Sequence, residues 1–160
     1  MYMRITIFAT GKLTEPCFYD GVQMYAKRLA IWTSIECIEF SEQRGDASSD
    51  AGRMLLISKE SEKVLAALPT GAYTVLLDPK GKMLSSKEFS AFIEKCEIEG
   101  PYHLAFVLGG PHGVSPDLRS KMQKMISFSA MTFPHQMARL ILYEQLYRAF
   151  SIIRGVPYHK

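Results

Sequence analysis

A chain of 160 residues with 48% apolar and 22% charged residues is long enough to bury a sizeable core and too apolar to stay disordered, so one domain over 1–160 is expected. The formal net charge of +3 is too small to mark the whole surface as a polyanion binder. Three scattered cysteines, Cys17, Cys37 and Cys96, form no C-x-x-C pair, which argues against a disulfide framework. The four histidines have no metal-ligand spacing with them, so no metal is expected.

In chain order, "MYMRITIFATGKL" carries an apolar stretch too short to span a membrane and lacks a convincing cleavage site. It reads as a first strand, and a reducing cytoplasm is the expected compartment. Phe18, Val22, Tyr25 and Leu29 recur at helical spacing after Pro16, which suits a first helical turn. "SIECIEF" alternates as a second strand, and "EQRGDASSD" is a polar loop. Ser48 or Ser49 caps a helix running towards Leu68, where Pro69 and Gly71 stop it.

"AYTVLL" is a short, almost wholly apolar strand of the kind buried in a parallel sheet, and "DPKGK" then turns the chain sharply. Ser85 or Ser86 caps a helix to about Cys96. "HLAFVL" is the next buried strand and runs into "GGPHG". Ser115-Pro116 reads as an N-cap followed by a first helical position, with the helix reaching about Met125. "ISFS" is a fifth strand, and "FPHQ" opens a last helix to about Arg154. The strict alternation predicts an α/β fold with a mostly parallel sheet and helices on both faces.

In such a sheet, ligands bind outside the carboxyl ends of the strands. Three segments lie there: "LDPKGK", "GGPHG" and "FSAMTFPHQ". The glycines Gly109, Gly110 and Gly113 match neither the dinucleotide fingerprint nor a P-loop; they serve either a ligand or a strand-to-helix turn. "FSAMTF" interleaves small polar residues with Phe128, Met131 and Phe133, which suits a polar backbone beside an apolar wall, or a buried strand end.

The last helix carries a core stripe of Ala138, Leu142, Leu146, Ala149 and Ile153. Its other sides hold Met137, Leu140, Ile141, Tyr143, Tyr147, Phe150 and Ile152, so it is either sandwiched within the domain or shared with a second subunit. Residues 134–160 hold four basic residues, Arg139, Arg148, Arg154 and Lys160, against Glu144 alone, while the rest of the chain holds fifteen of each sign. Glu144 and Arg148 stand four apart and also fit a simple solvated pair. His135 follows Pro134 at the helix start. His159 lies at a terminus, where fraying is the usual behaviour.

Taken together, "GGPHGVSP", "FSAMTFPHQMARLILYEQLYRAFSI", the terminal "PYHK", "ITIFATGKL" and "LLDPKGKMLSS" resemble the RlmH family over essentially the whole length. These are pseudouridine N3-methyltransferases of large-subunit (23S) ribosomal RNA within the SPOUT superfamily. The resemblance implies a C-terminal deep trefoil knot, a homodimer, and S-adenosylmethionine as cofactor. It implies cofactor contacts from Leu77, Gly109 and the loop Phe128, Ser129, Ala130, Met131, Thr132 and Phe133. The implied partner is large-subunit ribosomal RNA in the assembled ribosome, with Arg139, Arg148 and Lys160 as RNA contacts and no membrane involved.

For the chemistry, removing the imide proton at N3 calls for a base or a stabilising cation. His159 is the first candidate base, His135 the second. Tyr158 would stack on or hydrogen-bond the target, and Arg154 would stabilise charge on the base carbonyls. Two other readings are a flavin- or nucleotide-binding module, against which the missing phosphate fingerprint argues, and a non-catalytic ribosome-binding or assembly factor that keeps the knotted fold.

Overall fold

The structure is a computed structural model that describes residues 3–159. Strands and helices alternate: β1 (Arg4–Thr10), α1 (Pro16–Leu29), β2 (Ser34–Phe40), α2 (Asp50–Ala67), β3 (Tyr73–Met83), α3 (Ser86–Glu99), β4 (His103–Leu108), α4 (Pro116–Ser120), β5 (Lys124–Ser127) and α5 (His135–Ile153). The strands form one five-stranded sheet in the order β2-β1-β4-β3-β5, with every pairing parallel. All five C-terminal ends therefore open on the same edge.

The alternation of strand side chains splits the core into two layers. Ile5, Ile7, Val75, Leu104 and Phe106 face α1, α3 and α5. Phe8, Leu76, Ala105 and Val107 face α2 and α4. Local signals set most helix starts. The Ser49 hydroxyl accepts from the Gly52 N–H at 3.0 Å, Ser115 from Leu118 at 3.1 Å, and Ser85 forms a full capping box with Glu88. Each such cap is worth about 1 kcal/mol.

Two elements depart from the sequence reading. The helix expected to reach Met125 stops at Ser120, and β5 starts at Lys124 rather than Ile126. Hydrogen bonds from β3 capture the intervening residues. Thr74 Oγ1 donates to the Lys121 carbonyl at 3.2 Å, and Gln123 N–H donates to the Thr74 carbonyl at 3.1 Å. Phe128 and Ser129 consequently fall in a loop beyond the strand.

The second departure is "DPKGK", which does not turn the chain out of the sheet. Residues 78–81 bulge, and Lys82 and Met83 resume pairing with Ile126 and Ser127. Gly81 makes this possible: a Cβ there would lie 2.6 Å from the Ile126 carbonyl carbon.

α5 lies between α1 and α3. Leu142, Leu146 and Phe150 are fully buried. Leu140 packs onto Gly21 of α1, the Ser90 hydroxyl of α3 donates to the Ala149 carbonyl at 3.1 Å, and Trp32 stacks on Tyr147 at 5.4 Å. The domain itself thus covers most of the helix's second apolar face, leaving Met137 and Ile141 half-buried. Among the described residues no helix is long and apolar enough to cross a membrane.

Candidate functional site

A cavity of about 270 Å³ opens at the C-terminal edge of the sheet, between the ends of β3, β4 and β5 and the first turn of α5. This is close to the smallest volumes usual for small-molecule sites. Leu77, Leu108 and Ile126 form its floor, Phe128 and Ala138 one wall, and residues of the loops after β4 and β5, among them Gly109, Gly110, Ser129 and Thr132, its rim. Seven of the eight residues implied as cofactor contacts line it: Leu77, Gly109, Phe128, Ser129, Met131, Thr132 and Phe133. Ala130 is exposed and does not line it.

Internal hydrogen bonds shape the rim. The Ser127 hydroxyl donates to the Ser129 carbonyl at 2.8 Å, and the Ser129 hydroxyl accepts from the Met131 N–H at 3.0 Å. Met131, 74% exposed, and Phe133, 36% exposed, stand open at the mouth. Gly109 answers a need within the loop itself: a Cβ there would lie 2.8 Å from Val114 Cγ1. The loop closes through Gly113 N–H to the Gly110 carbonyl at 3.0 Å. The floor and wall suit a flat apolar group such as a nucleobase, with backbone groups along the rim.

Several supporting residues carry little signal in the sequence. Asp78 lines the cavity, accepts from Arg119 Nη2 at 2.8 Å and accepts from the Lys80 N–H at 2.8 Å. Burial pushes this carboxyl up, but the Arg119 and Lys80 hydrogen bonds and charges hold it, on balance, below the ordinary carboxylate value. Glu60, 6% exposed, accepts from the Gln43 N–H at 2.8 Å, and its other oxygen faces Gly110. The neighbouring Ser61 accepts from Ser115 N–H at 2.9 Å, so one turn of α2 braces two edge loops. A carboxylate on the buried stripe Leu56, Glu60, Val64 was the visible clue.

His135 also lines the cavity, with Nε2 3.8 Å from Glu42 Oε1. The next residue, Gln136, accepts from the Thr14 N–H at 2.8 Å, fastening the start of α5 to the β1–α1 loop.

The other proposed site residues lie apart from this cavity. Arg139 is 1% exposed, ion-pairs with Glu39 and donates to the Gly11 carbonyl at 2.6 Å, leaving Nε without a partner. A side chain so enclosed presents nothing to a phosphate, which corrects its expected place on a basic surface. It sits beside Cys37, whose thiol burial pushes up to about 11.

Arg148 donates from Nε to Glu144 at 3.0 Å and lies over the Tyr158 ring at 4.8 Å. The Tyr158 hydroxyl meets both Tyr25 and Glu144 at 3.1 Å. Burial, with these partners, raises its phenol well above the usual tyrosine value, so it is a proton donor here. His159 Nδ1 lies 3.4 Å from Arg148 Nη1. Arg154 is bound to Glu97 of α3, with Nη1 to Oε2 at 3.0 Å. Tyr158, His159 and Arg154 line no part of the cavity. Lys160 lies outside the described residues.

A family model described as "Predicted SPOUT methyltransferase" matches residues 3–159. The chain belongs to the SPOUT methyltransferase family. A chain from Methanospirillum hungatei is 46% identical to it over 158 residues, covering 99% of each. Proteins of Clostridium acetobutylicum and Carboxydothermus hydrogenoformans, both named ribosomal RNA large subunit methyltransferase H, are 43% and 42% identical over 159 residues, 99% of this chain and all of theirs. Among solved structures, a probable methylase family protein from Haemophilus influenzae superposes with a TM-score of 0.52 at 14% identity, over 98% of this chain and 70% of that one. That likeness concerns the fold. For a SPOUT chain, a methyl donor is the group the cavity has to accommodate, and its lining agrees with one: a largely apolar floor, small residues at the rim, and Asp78 as the one carboxylate on the wall among the described residues. Among the described residues, no cluster of three or more His, Cys, Asp or Glu side chains is placed to hold a metal ion.

Proposed function

We propose that this chain, as one domain over 1–160, is an S-adenosylmethionine-dependent methyltransferase that modifies N3 of a pseudouridine in a large-subunit ribosomal RNA stem-loop, on the assembled ribosome in the cytoplasm. The observation that carries the reading is the cavity at the C-terminal edge, built from three strand ends in a chain of this family. Leu77, Gly109 and the loop from Phe128 to Phe133 would hold the cofactor, with Ala130 contributing at most backbone. The bound cofactor supplies an activated methyl group on a good leaving group.

The protein's own work is then placement of the target and movement of one proton. His135 stands at the cavity wall, while Tyr158 and His159 are parked against Glu144 and Arg148. His159 Nδ1 faces the Arg148 guanidinium, so a base role through that nitrogen requires the tail to leave Arg148. This supports a homodimer in which the tail of one copy completes the cavity of the other. The half-buried Met137 and Ile141 and the exposed Met131 and Phe133 fit the same reading. The C-terminal deep trefoil knot belongs to this proposal too; it is supported by the family membership and by α5 returning from the edge strand β5 to lie between α1 and α3.

The test is transfer of a labelled methyl group to purified ribosomes lacking the modification, followed by mass mapping of the RNA. Label at N3 of one pseudouridine is expected. Cofactor binding without any transfer would favour the non-catalytic assembly factor. Deleting residues 158–160 is expected to abolish transfer while leaving cofactor affinity intact.

A further inference from the structure

The arginines that suggested a phosphate-binding face are each held by an acid of the same chain: Arg139 by Glu39, Arg148 by Glu144 and Arg154 by Glu97. Charge available to a polyanion must lie elsewhere around the cavity, and the two flanks differ. On the β1–β2 flank, segments 10–15 and 41–46 carry Lys12 and Arg44 against Glu15, Glu42 and Asp46. On the β3–β5 flank, segments 78–83 and 116–120 carry Lys80, Lys82 and Arg119 against Asp78 and Asp117.

Within that second flank, Arg119 is engaged by Asp78, while Lys121 and Lys124 lie at the opposite edge of the sheet, beside the start of β3. Lys80 and Lys82 are exposed and make no ion pair among the described residues. Glu88 feels the Lys82 charge but is bonded instead to the Ser85 N–H at 2.7 Å.

The backbone under both lysines is fixed. Gly81 between them packs so tightly on β5 that a Cβ would lie 2.7 Å from the Ile126 nitrogen. The Lys80 N–H is tied to Asp78, and Lys82 pairs with Ile126. The same bulge contributes Asp78 and Pro79 to the cavity wall. A rigid base carrying two mobile ammonium groups suits phosphate oxygens, which fix the orientation of a nucleic acid without reading its sequence.

We propose that Lys80 and Lys82 form the phosphate-contacting rim of this site, so that the substrate RNA enters over the β3–β5 flank with its backbone on the bulge. This rests on the methyltransferase reading and specifies how that site meets its RNA.

The test is methyl transfer to ribosomes, measured against salt concentration, for wild type and for Lys80→Gln with Lys82→Gln. The double variant is expected to lose kcat/KM for ribosomes several-fold. Its plot of log kcat/KM against log salt should flatten by about 1.4, from two single-strand contacts of about 0.7 each. Cofactor affinity by calorimetry at pH 8 should not change, because Arg119 and the backbone N–H of residue 80 still hold the Asp78 carboxylate. A benzophenone amino acid at Met83, 61% exposed beside Lys82, should crosslink to RNA.

An unchanged salt slope overturns the proposal, as does a crosslink to ribosomal protein instead of RNA. A parallel loss of cofactor affinity also overturns it, because the lysines would then act through the cavity wall. Equal flattening by Lys12→Gln with Arg44→Gln overturns the choice of flank. A wild-type chain that transfers no methyl group refutes the underlying function, which is a separate result from a wild type that works and a variant indistinguishable from it.

Discussion

Replacing Arg139 with alanine separates a structural arginine from a ligand-binding one. Arg139 is 1% exposed and its guanidinium ties α5 to two strand ends, Glu39 at the end of β2 and the Gly11 carbonyl just past β1. Breaking a buried pair from one side costs about 3–5 kcal/mol. Two features place this case at the lower end. The Glu39 side chain is 35% exposed and can rehydrate, and truncation also removes an Nε that has no partner now. The expected loss is about 3 kcal/mol, and at about 2–4 °C per kcal/mol for a chain of this size the melting temperature should fall by about 6–12 °C. Urea unfolding and thermal melts measure this directly. Glu39→Gln, which keeps an acceptor, should cost about 1 kcal/mol. The salt dependence of ribosome methylation by the folded fraction should stay at the wild-type slope. A variant as stable as wild type whose salt slope flattens would refute the reasoning, since the guanidinium would then be a phosphate ligand.

Gly81→Ala should destabilise the protein by about 1–3 kcal/mol and weaken cofactor binding together, because the new Cβ meets the Ile126 backbone and not a flexible side-chain end; calorimetry and melts on the same sample check whether the two move as one. Asp78 sets an acid limit on the cavity. Its folded-state carboxyl is held below the unfolded value, so its contribution to stability is present above about pH 5 and is lost as pH falls below about 4. Cofactor affinity from pH 8 to 3 should show that loss in wild type, and Asp78→Asn should flatten it.

Where the structure matches the sequence reading, the determining interactions are short-range. Ser49, Ser85 and Ser115 bond to an N–H three residues ahead, so their caps are visible in a local pattern. Where the two differ, the partner is distant. Thr74 ends α4 from 47 residues away through the Lys121 carbonyl, and no local propensity encodes that. Pro79 and Gly81 look like turn residues, yet Gly81 is small because β5 passes against it, and the strand resumes at Lys82. The three cavity loops were legible because a parallel sheet puts all its C-terminal ends on one edge, and alternation alone predicted that sheet. Glu60 was legible in principle, as a carboxylate on a buried stripe, but its purpose depends on loops that only the fold brings to it.

Charge is the property that a linear reading handles worst here. Residues 134–160 show four basic residues and one acid, which suggests a surplus. Three of those cations are nevertheless matched, and two of the matching acids come from far away in the chain: Glu39 lies 100 residues from Arg139, and Glu97 lies 57 from Arg154. The third, Arg148, shares Glu144 with the Tyr158 hydroxyl, so the acid that neutralises the helix also holds the tail. Charge committed in this way does not attract a phosphate, because any new anion has to displace a carboxylate already bonded in place. The bulge lysines feel the charges of Asp78 and Glu88 but are bonded to neither among the described residues, and they stand beside the stretch of cavity wall formed by Asp78 and Pro79. A count of charges along the sequence and a count of charges free to act therefore point to opposite ends of the site, and only the second bears on where RNA would approach.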